Sequence, residues 1–274
     1  MPEPALFGII AGAGTFPIQI AREAKRRGLT VIAIGLKDWV SPAMAAEADT
    51  YTEVSVGQLG KLIEELKTRG VRQAVMAGKV TKGAAFDPRV EFDATAIGIL
   101  ARVRDFSVGG LLGAVADRLA KDGITLVDSS TYLQDALCPP GPLTRRAPSA
   151  EEQHDIEIGM SAARRLAELD VGQTVVVRRS VVVAVEALEG TDAAIARAGT
   201  LAKGNLVVVK MAAPKQDMRF DLPVLGLRTI EIAQTAGVTC IAVESGKTVL
   251  LDRSELVAVA ERAGISLIGV TPAD

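Results

Sequence analysis

The apolar positions change their period along the chain, and the changes mark out its elements. Leu6 to Ala11 is an unbroken apolar run that stops at Gly12; from Phe16 to Arg27 the apolar residues recur at Ile18, Ile20, Ala21 and Ala24 before Gly28. The first pattern predicts a buried strand and the second an amphipathic helix. A β-branched run over Thr30–Gly35 completes a βαβ unit. The same alternation predicts a helix over Leu59–Arg69, a strand over Gln73–Ala77, helices within Asp93–Val103 and Leu111–Asp122, and a strand over Ile124–Val127. Strands separated by helices predict a parallel, doubly wound sheet, because a parallel strand can be reached only through a crossover.

Pro139, Pro140, Pro142 and Pro148 fall between Cys138 and Pro148 and exclude a helix there. We read this stretch as a stiff linker. Ser149-Ala150-Glu151-Glu152 then has the spacing of a capping box and predicts a helix to about Leu169. A strand pair over Thr174–Val177 and Val181–Leu188 follows. After it come a helix from Asp192, a strand over Leu206–Lys210, an irregular stretch to Pro223 and a helix to Ala236. Strands over Thr239–Val243 and Thr248–Leu251, a helix from Ser254 and a strand over Ile265–Val270 close the chain. The expected organisation is a nucleotide- or phosphate-binding α/β domain over 1–134, the linker over 135–148 and a second, catalytic α/β domain over 149–274.

Composition narrows the ligands. Thirty-one Lys and Arg against 33 Asp and Glu leave a net charge of −2, and aromatic residues are only 3%, so nucleic acid is not expected as a partner. Two cysteines far apart and a single histidine supply neither a disulfide framework nor a zinc site, which fits a reducing compartment. No apolar run approaches the ~18 residues of a membrane span, and Met1–Pro4 carry no basic leader. The expectation is a soluble, cytoplasmic protein.

Gly12-Ala13-Gly14-Thr15-Phe16-Pro17 joins the first strand to the first helix. Backbone N–H groups and the helix dipole can hold a phosphate at such a place. Pro17 replaces the third glycine of a dinucleotide fingerprint, and Ile34-Gly35-Leu36-Lys37 lacks the ribose-binding acid, so a nicotinamide enzyme is disfavoured. Gly78-Lys79-Val80 follows a second parallel strand and should emerge on the same carboxyl edge, with Lys79 as a point charge for phosphate. A tight turn and a solvated lysine are the ligand-free alternatives.

Between Pro214 and Pro223, an extended backbone would turn Asp217, Arg219 and Asp221 to one face and Met218, Phe220 and Leu222 to the other. Two carboxylates and a guanidinium together suit Mg²⁺ and a phosphate; an edge-strand ion pair is the plainer reading. Glu186, Glu189 and Asp192 form a second acidic cluster, in which Asp192 or Thr191 caps a helix and Glu186, on a Val-rich strand, needs a partner. His154 reads as a surface residue, and no nucleophile motif is present.

Five blocks in order carry a resemblance: Gly8 to Pro17, Gly78-Lys79-Val80, Asp170 to Gln173 with the valine-rich strand after it, Glu189-Gly190-Thr191-Asp192, and Gln216 to Pro223. Together they resemble the LpxI class of UDP-2,3-diacylglucosamine hydrolases over nearly the whole chain. The resemblance implies an N-terminal Rossmann-like domain, a distinct C-terminal domain and substrate held in an interdomain cleft. It also implies self-association as a dimer, and a cytoplasmic enzyme of lipid A synthesis in peripheral contact with the inner membrane. The implied reaction is Mg²⁺-dependent (or other divalent-cation-dependent) cleavage of the sugar nucleotide's diphosphate to UMP and 2,3-diacylglucosamine 1-phosphate, with Asp221 the essential acid. The candidate set is then Asp221, Asp217 and Arg219 for catalysis. Gly12, Ala13, Gly14, Thr15, Lys79, Thr191 and Lys215 are candidates for substrate, and Asp221, Asp217, Glu186 and Glu189 for the metal. A non-catalytic carrier of an acylated sugar phosphate or nucleotide sugar is the alternative.

Overall fold

The computed structural model describes residues 5–80, 90–104, 108–213, 217–219 and 222–272. The chain divides into two compact units, one of residues 1–134 with 217–221, the other of 135–216 with 222–274.

The first unit begins with β1 (Leu6–Ala11), α1 (Phe16–Arg26), β2 (Thr30–Leu36), α2 (Met44–Glu47) and β3 (Thr50–Val54). It continues through α3 (Leu59–Thr68), β4 (Gln73–Ala77), α4 (Ala94–Leu100), α5 (Val108–Lys121) and β5 (Thr125–Leu126). All five strands are parallel, in the order β3-β2-β1-β4-β5. The doubly wound reading therefore holds, and the winding reverses between β1 and β4. Ile10, Ile32 and Ile34 pack with Leu62, Ile63 and Leu66 of α3 and Leu119 of α5. Phe7, Ile9 and Val31, on the opposite pleat, are equally buried, so both faces are covered. Asp93 caps α4 by accepting from Ala96 N at 2.8 Å, and its other oxygen accepts from Gly60 N at the start of α3 at 2.6 Å.

The second unit contains β6 (Gly141–Pro142), α6 (Ala150–Glu168), β7 (Thr174–Arg178), β8 (Val181–Val185), α7 (Thr191–Leu201), β9 (Leu206–Lys210) and β10 (Val224–Leu225). After these come α8 (Leu227–Ala236), β11 (Val238–Glu244), β12 (Val249–Leu250), α9 (Arg253–Arg262) and β13 (Ser266–Val270). Six strands form one mixed sheet, β6-β13-β11-β9-β7-β8, in which β9, β11 and β13 are parallel. Ile156 and Ala163 of α6 pack on Val175, Val177, Val207 and Val209, while Ile195, Ile230 and Leu256 of α7, α8 and α9 pack on Val176, Val208 and Ile241. The expected capping box is present: Ser149 Oγ accepts from Glu152 N, and Ser149 N donates to Glu152 Oε2.

Two expectations need correction. The proline-rich stretch connects the units in sequence, yet it is built into the second. Gly141–Pro142 pairs antiparallel with β13, Leu143 N donates to Leu267 O at 2.8 Å, and Cys138 lies in the core. Prolines lack an N–H, which confines such a segment to a sheet edge, the place it occupies here. Burial pushes the Cys138 thiol up to about 11 and that of Cys240 up to about 12, so both free cysteines are inert. The second correction concerns the acidic segment, expected in the second domain: its described residues, 217–219, belong to the first unit.

Candidate active site

In an open parallel sheet, ligands bind beyond the carboxyl ends of the strands where the winding reverses. In the first unit that place lies between β1 and β4, and both glycine loops are there. Gly12 N donates to Ala77 O at 2.7 Å, and Ala13 and Lys79 exchange two backbone hydrogen bonds of 2.9 Å. The loops can come this close only as glycine: a Cβ on Gly78 would sit 2.7 Å from Ala13 O, and one on Gly12 would sit 3.0 Å from Lys79 O. Gly14 differs. It adopts φ +95°, is exposed, and has no atom within 4 Å of the place a Cβ would occupy. Thr15 is exposed and no side chain caps α1, whose first turn contains Pro17. Open backbone and helix amides without a side-chain cap thus lie next to exposed Lys79, whose backbone pairs with Ala13, an arrangement that suits a phosphate.

The acidic segment joins this edge. Ser129, just beyond β5, donates from its backbone N to Met218 O at 3.1 Å, and its hydroxyl lies 2.7 Å from both Arg219 O and Met76 O. The extended conformation expected here is not observed, since Met218 and Arg219 form a turn. The cause is local: Asp217 Oδ1 accepts from Arg219 N at 3.1 Å, which folds the backbone back. Asp217 and Arg219 still meet, through guanidinium bonds of 2.6 and 2.9 Å. The Arg219 guanidinium holds the Asp217 carboxyl below the usual carboxylate range against the opposing effect of burial. Asp221 and Lys215 lie outside the described residues.

Glu186 and Thr191 lie at the corresponding edge of the second unit, with a partner that the sequence did not single out. Lys210, at the end of β9 and only 7% exposed, donates to Thr191 Oγ1 at 2.8 Å and to Thr174 Oγ1 at 3.4 Å, and lies 3.9 Å from Glu186 Oε2. Thr191 Oγ1 donates to Glu186 Oε1 at 3.0 Å. Burial alone would raise the Glu186 carboxyl; the Lys210 charge and the hydroxyls of Thr174 and Thr191 outweigh it and hold the group ionised. The Thr191 hydroxyl is therefore engaged within the protein, leaving its backbone as the part that can meet a ligand. Glu189 pairs with Arg197 at 2.7 Å, and Asp192 accepts from Thr229 Oγ1 at 2.8 Å.

These partners bear on the metal. Among the described residues, no three His, Cys, Asp or Glu side chains converge on a point that could hold an ion. Asp217, Glu186 and Glu189 are each paired with a cation, Arg219, Lys210 and Arg197 respectively. Also among the described residues, no helix is long and apolar enough to cross a membrane.

The model of the LpxI N-terminal domain matches residues 6–136, and that of the LpxI C-terminal domain matches residues 139–268. A curated relative from Caulobacter vibrioides, UDP-2,3-diacylglucosamine pyrophosphatase LpxI, is 31% identical over 280 residues, covering 97% of each chain. Solved structures are more distant. AnUbiX (PadA1) in complex with FMN and dimethylallyl pyrophosphate aligns with a TM-score of 0.20 at 10% identity, over 46% of this chain and 94% of that one. Gox2253 aligns with a TM-score of 0.29 at 13% identity, over 95% of this chain and 84% of that one.

Proposed function

The chain belongs to the LpxI family, and from that premise we propose that it hydrolyses the diphosphate of UDP-2,3-diacylglucosamine, giving UMP and 2,3-diacylglucosamine 1-phosphate in lipid A synthesis. The observation that supports the reading is that the glycine loops, at the reversal between β1 and β4, and the 217–219 turn, held by Ser129 just beyond β5, lie on the same carboxyl edge.

A phosphoanhydride holds two repelling anions, so its hydrolysis needs charge neutralised, one water oriented and the reacting phosphorus fixed. The open amides around Gly14 and Thr15 and the Lys79 ammonium bind the diphosphate. Arg219, already aligned by Asp217, offsets the charge that grows on the leaving phosphate as the anhydride P–O bond breaks. Asp221 is the acid that orients the attacking water, whose oxygen ends on one phosphorus while its proton is released. We further propose a requirement for Mg²⁺ or another divalent cation, which Asp221 and Asp217 would help to hold and which would neutralise phosphate charge. Dimer formation and contact with a membrane surface belong to the same proposal, to be read by light scattering and vesicle sedimentation.

The test is turnover of UDP-2,3-diacylglucosamine by the purified full chain, with Mg²⁺ and with EDTA, beside Asp221→Ala. UMP release that needs the cation and disappears in the variant is the expected result. Tight binding with no UMP released would identify a carrier instead.

A further inference from the structure

We propose that Ser129 is the positioning residue that clamps the 217–219 turn onto the carboxyl edge of the first sheet; the functional part of this inference rests on the reading of that segment given above. The argument starts from the β4–β5 ladder. Thr125 N donates to Arg72 O and Val127 N to Ala74 O, so the two-residue period of a parallel ladder directs Ser129 N to Met76 O. It does not go there. Ser129 N is turned to Met218 O at 3.1 Å, and the hydroxyl lies 2.7 Å from Met76 O in its place. The same hydroxyl is 2.7 Å from Arg219 O. Ser129 is 2% exposed, so the contact is shielded from water.

The turn that presents Ser129 is itself held. Asp128 Oδ1 accepts from Ser130 N and Ser130 Oγ, both at 2.7 Å, and Gln134 Nε2 donates to Ser130 O at 3.2 Å. Ser129 is thus a fixed point between the end of β4 and a segment 90 positions away in the chain. A hydroxyl carries one proton and donates to one carbonyl at a time, so β4 and the segment share it. Alanine would keep the backbone bond to Met218 O but leave both carbonyls without that donor.

In the full chain, Ser129→Ala is expected to raise trypsin cleavage after Arg219 about tenfold, because cleavage follows the open population of the segment. We expect kcat to fall about 10- to 100-fold, the cost of a misplaced catalytic group, with KM within about twofold because the glycine loops are untouched. Ser129→Thr, which keeps the hydroxyl, should restore both. Unchanged cleavage in a folded Ser129→Ala overturns the clamp. Faster cleavage with undiminished kcat keeps the clamp and overturns the assignment of the segment to chemistry. Should alanine fail to fold, Ser129→Cys, of similar volume but a weak donor, gives the same two readings.

Discussion

The two units each present a carboxyl strand edge, and the edges are built on opposite principles. In the first, hydrogen-bonding capacity is left open: Gly14 and Thr15 are exposed and Lys79 stands in solvent. In the second, Lys210, Thr174, Thr191 and Glu186 bond to one another in a nearly closed network. Glu186 Oε2 is buried there without a hydrogen bond, 3.9 Å from the ammonium. An edge with open donors can receive an anion; an edge whose charges are paired internally holds its own fold. Charged residues at a strand edge do not announce a ligand until their partners are known.

The sharpest way to break the comparison is to fill the contact between the loops. A side chain at Gly78 would meet Ala13 O at 2.7 Å and must adopt φ +90°. Gly78→Val should destabilise the chain by about 4 kcal/mol and abolish turnover; urea unfolding with a turnover assay checks both. Next comes the closed network. Lys210→Met leaves the Glu186 carboxylate buried without its cation and should cost about 3 kcal/mol near pH 7. In the wild type the Glu186 pKa is depressed, so its contribution is present above the unfolded value of about 4.3 and is lost as pH falls through the folded value. In the variant that pKa rises above the unfolded value, so the stability gap should narrow as pH falls from the variant's raised folded value through the wild type's lowered one. A gap independent of pH would mean the pair is not coupled.

Gly14→Ala probes the open edge more gently. Nothing obstructs its Cβ, so about 1 kcal/mol of backbone strain is expected, together with weaker binding of UMP in calorimetry. Loss of stability with unchanged UMP affinity would show that the loop is only a turn. The smallest effect is expected at Asp217→Asn. The Asp217 and Arg219 side chains are 35% and 41% exposed, so the stability change should stay below about 1 kcal/mol. Because the Asp217 pKa is depressed, that contribution is present above about 4 and fades as pH falls through the lowered value, which acid titration of unfolding would follow.

Much of this was legible in the residues. The runs Leu6–Ala11 and Gln73–Ala77 are strands because continuous apolar stretches must be buried on both faces. Once both are parallel, the loops at Gly12 and Gly78 have to emerge on one edge. β3 was missed, since Thr50-Tyr51-Thr52-Glu53-Val54 is largely polar and becomes a strand only by pairing with β2 at the sheet edge. That Glu186 needs a partner followed from its valine-rich neighbours, but not that the partner is Lys210. The pair forms because β7 lies between β8 and β9, with Thr174 opposite Lys210 and its carbonyl accepting from Glu186 N.

The amino-acid sequence by itself therefore determined most of the elements, the glycine loops and the family, all of which depend on local period and on residues near one another in the chain. Only the tertiary structure decided that residues 217–219 leave the second half of the chain to join the first sheet, and that Lys210 neutralises Glu186. Both depend on contacts between distant positions, where a single hydroxyl or ammonium selects its partner by place in the fold and leaves no periodic mark in the sequence.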